Sequence, residues 1–137
     1  MADLAFDTAD VAAVKVFEQF TGPTDEAITP GQCVRFEVTS GYLTSAKATE
    51  AAEHGYIRGL AIGTANGSAI TITAVKRGIL NMGTGLGGLT YDDIVYLSNT
   101  DGALADTAGS VSIVVGHVIP GYGMGTAVPD KLLYVDM

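Results

Sequence analysis

The chain has one cysteine, Cys33, among 137 residues, and no tryptophan. A lone cysteine excludes an intrachain disulfide, so no disulfide scaffold holds this fold. Basic residues are also scarce. Seven Lys and Arg stand against fifteen Asp and Glu, giving a net charge of −8. They are scattered singly except for Lys76-Arg77, which excludes the basic stripe that a nucleic-acid groove offers to phosphate. The same balance argues against docking on an anionic membrane. No apolar run approaches the ~20 residues needed to span a bilayer. The opening Met-Ala-Asp-Leu-Ala-Phe-Asp lacks a basic n-region and an apolar h-region, so it does not read as a secretory signal. The expected place of synthesis is a cytosolic compartment.

Glycine and apolar side chains are present in quantity. Apolar residues make up 47% of the chain and charged ones 16%, a balance that folds instead of staying disordered. The length suits one domain with a real core. The eighteen glycines are aperiodic, and strand-like runs lie between them, so they mark turns.

One stretch occurs twice, and the rest is read around it. Residues 28–44, ITPGQCVRFEVTSGYLT, lie without gaps over residues 89–105, LTYDDIVYLSNTDGALA. Thr29 matches Thr90, Val34 matches Val95, Thr39 matches Thr100, Gly41 matches Gly102 and Leu43 matches Leu104. Each copy reads as turn, strand, glycine turn and return strand. Two copies are too few for a solenoid and predict two similar hairpins packed together. In the first copy Val34, Phe36 and Val38 share one side of a strand, and Cys33, Arg35 and Glu37 the other.

Residues 11–20 read as a first strand, with a short helix as the competing reading. Residues 21–26 read as a turn or loop around Pro23. Residues 45–55 are the one helical candidate, capped by Ser45 and ended by Gly55, with an exposed loop as the alternative. Residues 56–65 form a glycine-broken strand, and Asn66-Gly67 is a tight-turn dipeptide before the strand at 69–75. Lys76-Arg77-Gly78 is read as a turn at a solvated hairpin tip, with 79–82 returning. Residues 83–88 are read as a flexible connection, 111–119 and 131–136 as strands, and 120–129 as a glycine-rich loop. Many short strands at regular spacing predict an all-β fold, a small barrel or sandwich with at most one short helix. Residues 1–20 are the arm or first strand, and 21–137 the single β-rich domain.

Candidate chemistry is thin. Gly83, Gly85 and Gly88 fit G-x-G-x-x-G, but a strand-like segment follows instead of a helix, so no phosphate site is expected. Asp92-Asp93 lacks the spaced oxygen ligands of a cation site, and turn carboxylates accepting amides are the better reading. Cys33, His54 and His117 do not form a zinc cluster. A Cys33–His nucleophilic pair is weakened because Cys33 aligns with Ile94, a packing residue. The expectation is no catalysis, no cofactor and no metal.

Two stretches carry a resemblance. Residues 59–65, GLAIGTA, with 70–78, ITITAVKRG, resemble a pattern of bacteriophage capsid cement, or head decoration, proteins. So do residues 89–102, with 114–120, VVGHVIP. The resemblance covers roughly 28–136, leaving the first twenty residues outside it. It implies a β-rich virion protein made in the host cytoplasm, located on the capsid exterior and bridging capsomers. The implied partners are the major capsid protein and further copies of the chain, with a trimer at a lattice threefold as the expected oligomer. No catalytic residue carries over. Expected contact residues are Leu4, Phe6 and Val11 in the arm, Lys76 and Arg77, Leu86 in the 83–88 loop, and Tyr122 and Met124 in the last loop. An alternative from another class is a tail-fibre or cell-surface β module that binds carbohydrate through Tyr42, Tyr56, Tyr91, Tyr96 and Tyr122.

Overall fold

The computed structural model describes residues 3–121 and 130–137. The described strands are β1 (Val11–Pro23), β2 (Cys33–Phe36), β3 (Leu43–Ser45), β4 (Arg58–Ala61) and β5 (Thr71–Met82). They continue with β6 (Ile94–Leu97), β7 (Leu104–Ala105), β8 (Val114–Pro120) and β9 (Lys131–Asp136). A 3-10 turn at Thr8–Asp10 and a single helical turn, α1 (Ala51–His54), complete the described elements. The fold is all-β, an antiparallel sheet curled into a half-barrel.

The duplicated stretches form the same hairpin. β2 pairs with β3 through Arg35–Thr44 and Phe36–Leu43, and β6 with β7 through the matching Tyr96–Ala105 and Leu97–Leu104. The tips match as well. The Glu37 amide donates to the Tyr42 carbonyl at 2.7 Å, and the Ser98 amide to the Ala103 carbonyl at 3.0 Å. Gly41 and Gly102 both take left-handed φ, +75° and +71°, where a Cβ is costly. The entry turns match too. The Thr29 amide donates to Gln32 Oε1 and the Thr90 amide to Asp93 Oδ2. Gly31 and Asp92 hold the same left-handed position, φ +90° and +72°. Aspartate tolerates that region better than most side chains, so the two copies diverge there without changing shape.

The duplication runs further than the sequence shows. β4 lies on β2 through Cys33–Leu60 and Val34–Gly59, and β8 lies on β6 through Ile94–His117 and Val95–Gly116. β5 follows β4 through Leu60–Val75, and β9 follows β8 through His117–Tyr134. Val75 therefore answers to Tyr134, and two residues on, Arg77 answers to Asp136. These two are themselves partners in the β5–β9 ladder. A local two-fold axis thus passes through the Arg77–Asp136 pair and exchanges the units β2–β5 and β6–β9.

β5 is the hinge of this arrangement. Val75 pairs with both Leu60 and Gln19, and Gly78 with both Val135 and Val16. β1 therefore runs along one edge of β5, while β4 and β9 share the other in succession. The arms β4-β2-β3 and β9-β8-β6-β7 splay apart and enclose a core of Cys33, Leu60, Val75, Leu97, Val118 and Leu133, among others. A second, smaller core of Ile28, Val34, Leu43, Ala61, Ile72 and Ala74 lies on the other face of β2-β4-β5, with Phe20 and Phe36 against it. The short strands β2 and β4 are thus buried on both faces. Opposite β5, Gly102 inserts between Cys33 and Ala46: its carbonyl accepts from the Cys33 amide at 2.9 Å and its amide donates to the Ala46 carbonyl at 2.7 Å.

Several expectations are corrected. Lys76-Arg77-Gly78 is no turn, and 79–82 do not return, because β5 is continuous from Thr71 to Met82. Gly78 is needed for approach instead: a Cβ there would sit 2.5 Å from the Lys15 carbonyl oxygen. The helix expected over 45–55 is confined to one turn, since Ser45 belongs to β3 and Ala46 and Ala48 are buried. Gly55 does end it, at φ +63°. Val38 lies beyond the end of β2 and is 91% exposed instead of sharing the side of Val34. Asn66-Gly67 makes no two-residue hairpin, because β4 stops at Ala61 and β5 starts at Thr71. β1 runs through the expected turn as far as Pro23. Leu86 in the 83–88 segment is 1% exposed and packs into the main core.

Glycines in the two units have different tolerances. A Cβ on Gly116 would overlap the Tyr134 carbonyl, whereas one on Gly67 meets open space. Gly116→Ala is expected to lower unfolding free energy by about 2 kcal/mol or more through overpacking. Gly67→Ala should stay within about 0.5 kcal/mol of the parent. Urea denaturation of the two variants checks this.

Candidate functional site

β1 is the least covered element. It has thirteen residues, and those from Ala12 to Gln19 are exposed on both faces. Its register against β5 slips between Ala13 and Lys15, between Val16 and Glu18, and between Glu18 and Gln19. Val14 and Phe17 are the residues left over at the first two slips. A bulge leaves an extra residue unpaired and re-aims its side chain. Val14 is 44% exposed, Val16 36% and Phe17 46%. Apart from an isolated Thr24–Leu43 bridge just beyond it, the strand pairs only with β5 among the described residues, so its outer edge is open.

Charge gathers beside this apolar edge. Lys15 Nζ lies 5.2 Å and Arg77 Cζ 5.9 Å from the Phe17 ring centre, and the Tyr134 ring is 6.4 Å away. Glu18 faces Lys76 at 3.8 Å and Arg77 at 3.4 Å, and Arg77 Nε lies 3.7 Å from Asp136. Tyr134 and Glu18 together hold the Arg77 guanidinium above its already high range. Such exposed pairs contribute little to stability, of order 0–1 kcal/mol each. Phe17 is thus an aromatic surface bordered by two of the seven basic side chains, Lys15 and Arg77. Bulges and lysines are the usual protection of an open strand edge against indiscriminate pairing.

A second exposed apolar patch lies at the far end of the first unit. Val38, Tyr42, Tyr56 (89% exposed) and Ile57 stand out there. Val38, Tyr56 and Ile57 border a groove of about 240 Å³ with Arg35, Phe36 and Gly55. The Glu37 carboxylate at the neighbouring tip accepts from the amides of Ser40 at 2.7 Å and Thr39 at 3.0 Å. These bonds, Ser40 first, hold its pKa below the usual carboxylate value.

Among the described residues, the contact residues expected from sequence do not form one exposed surface. Val11 and Leu86 are core residues, and Leu4 and Phe6 are half-buried against the same core. The Leu4 amide donates to the Leu104 carbonyl at 2.8 Å, so the arm is laid along β7. Lys76 and Arg77 lie mid-strand, and the Arg77 guanidinium is beside Phe17. Tyr122 and Met124 lie outside the described residues. Sequence reasoning missed Val14, Val16 and Phe17. The signal was present: apolar residues at 11, 14, 16, 17 and 20 fit neither a two-residue nor a 3.6-residue period, the mark of a bulged strand.

Cys33 is fully buried in the main core. Burial pushes its thiol up to about 12, partly offset by the charge of Arg58. Among the described residues, no three His, Cys, Asp or Glu side chains are grouped as a metal site would need. No described helix is long and apolar enough to cross a membrane. Comparison with protein-family models, with curated proteins and with solved structures found no match.

The raised Cys33 pKa links to stability with a definite sign. Between about pH 9 and 12 the folded chain keeps the thiol proton that the unfolded chain has released, so stability falls as pH rises. The slope from this group is about 1.4 kcal/mol per pH unit. Cys33→Ala should therefore lose stability less steeply than the parent above pH 9, as measured by urea titration at several pH values. A thiol reagent should label Cys33 only under unfolding conditions.

Proposed function

We propose that this chain is a structural virion protein that binds the outer surface of an assembled phage capsid and stabilises the shell by bridging capsomers. The resemblance in residues 59–78 and 89–120 supports the reading. The observation that carries it is the open, apolar edge of β1 bordered by Lys15, Lys76 and Arg77. A strand from the major capsid protein can add to such an edge. Main-chain hydrogen bonds then supply affinity, and the side chains on either face supply specificity. Lys15 and Arg77 beside Phe17, with Lys76 next along β5, favour an acidic stretch on the partner.

The stabilising effect follows from mass action. A protein that binds the assembled lattice and not the free subunit shifts the balance toward the lattice, by about 2.7 kcal/mol per site at a hundredfold excess over Kd. The reading assigns no catalysis and no cofactor, and it has the protein working as a homo-oligomer, with a trimer at a lattice threefold as the simplest closed form. A second reading, carbohydrate binding by a tail-fibre or cell-surface module, has one observation in its favour: Tyr56 stands almost fully exposed beside an apolar groove. Specific binding on a glycan array would support it.

Mature capsids stripped of decoration test the main reading. The pure protein should co-sediment with them and raise their melting temperature. Phe17→Asp should weaken binding about tenfold or more, the loss expected when an aromatic contact near the centre of an interface is removed. The exposed position of Phe17 leaves the fold intact. Failure of the parent protein to bind or to stabilise capsids would discard the proposal.

A further inference from the structure

The open edge of β1 carries charges that complement themselves. Lys15 and Glu18 are three residues apart, a spacing that puts side chains on opposite faces of a regular strand. The bulge at Phe17 changes this. Lys15 pairs with Ile79 and Glu18 with Arg77, and that part of β5 pairs with β9 without a slip. Ile79 and Arg77 are two apart, so they share a face, and Lys15 and Glu18 share it with them. Val16, which pairs with Gly78, is the one ladder position between the two charges. Val16 and Phe17 are exposed there. Glu18 faces Lys76 and Arg77 within the chain, yet half of its side chain remains in water.

Residues directly opposite in an antiparallel pair point to the same face of the sheet. Two copies of one strand that pair about a two-fold axis must therefore set one ladder position against itself. With the axis at Val16, Lys15 of each copy lies opposite Glu18 of the other. Two pairs of opposite charge then flank a Val16–Val16 contact. With the axis at Lys15 or at Glu18, like charges meet face to face, which destabilises the pairing. The charges thus select one register.

We propose that in solution β1 of one copy pairs antiparallel with β1 of a second copy about a two-fold axis at Val16, joining the two sheets into one. The occupant is a second copy because the edge is complementary to itself in charge. Main-chain hydrogen bonds across the edge, and the removal of Val16 and Phe17 from water, supply the affinity. The contact is isologous, so it closes at two copies. The bulges and the lysine that bar indiscriminate pairing leave this register open. A capsid strand that adds to β1 takes the same edge, so it displaces the second copy. The inference stands without the capsid reading, because its test uses the pure protein alone.

Sedimentation velocity over a range of concentration reads the association. The parent should pass from monomer to dimer and no further. Lys15→Glu and Glu18→Lys should each raise the dissociation constant about tenfold, since two like-charge contacts replace two opposite ones. An equimolar mixture of the two variants should regain the parent's affinity, because the exchanged charges again meet across the axis. The register is read by cysteine cross-linking, since native Cys33 is buried. Val16→Cys copies should link to one another on mild oxidation. Ala12→Cys copies should not, because Ala12 pairs with Asn81, three positions along β5 from Gly78. The outer amides of β1, fast to exchange in the dilute monomer, should slow in the dimer. Unchanged circular dichroism of each variant shows that the fold is kept. A parent that stays monomeric at all concentrations overturns the proposal, and so does one that grows beyond a dimer. A mixture no tighter than its components, or Ala12→Cys copies that link as well as Val16→Cys copies, also overturns it.

Discussion

The ladder between β5 and β9 is the constraint on which this structure depends. It joins the two units about a local axis at Arg77–Asp136. β5 also lends its other edge to β1 and its first half to β4. Three neighbours on one strand require that strand to be long, and it runs for twelve residues without a break. They also require close backbone approach, which explains Gly78 on β5, where a side chain would strike the β1 main chain; Gly116 on β8 meets the same constraint against the β9 main chain. Once β5 is set, the two arms must diverge from it, and their inner faces bury the larger core between them.

The symmetry is incomplete, and its breaks lie at the first hairpin tip and along β1. Each unit repeats turn, hairpin and covering strand, in the same register except for a slip between Val95 and Tyr96 where β8 covers β6. Beyond β3 the first unit buries Ala46 and Ala48 and makes one helical turn, whereas beyond β7 the second unit follows an exposed path. That difference lets one tip dock and leaves its counterpart in solvent. β1 has no counterpart in the second unit. It is bulged, open along one edge and apolar at Val14, Val16 and Phe17. The one thiol is buried in the main core, away from that surface.

Much of the fold was legible in the sequence. The five identical columns between 28–44 and 89–105 correspond to hairpins in the same register, because the shared left-handed glycine lets each tip close with the same hydrogen bond. The wider duplication was legible only in part. Gly59-Leu-Ala-Ile and Gly116-His-Val-Ile echo one another, but Gly31 and Asp92 fill one left-handed site with different residues, and Val75 and Tyr134 share a position with no likeness of side chain. Lys76-Arg77-Gly78 was misread because glycine in a strand can mark either a turn or a close approach, and sequence alone does not separate them. The candidate surface was missed because bulges erase the alternation that reveals a strand face, and because Leu4, Phe6, Val11 and Leu86 look free until the core that absorbs them is built.

Amide hydrogen exchange of the native protein tests the central claim most directly. If the β5–β9 ladder unites the two units, the amides of Arg77–Leu80 and Leu133–Asp136 should be the slowest to exchange, at one common free energy equal to that of global unfolding. The amides on the outer edge of β1 should exchange fastest of any strand. Two separate free energies, one for each unit, or strong protection along the outer edge of β1 in the monomer, would contradict the account.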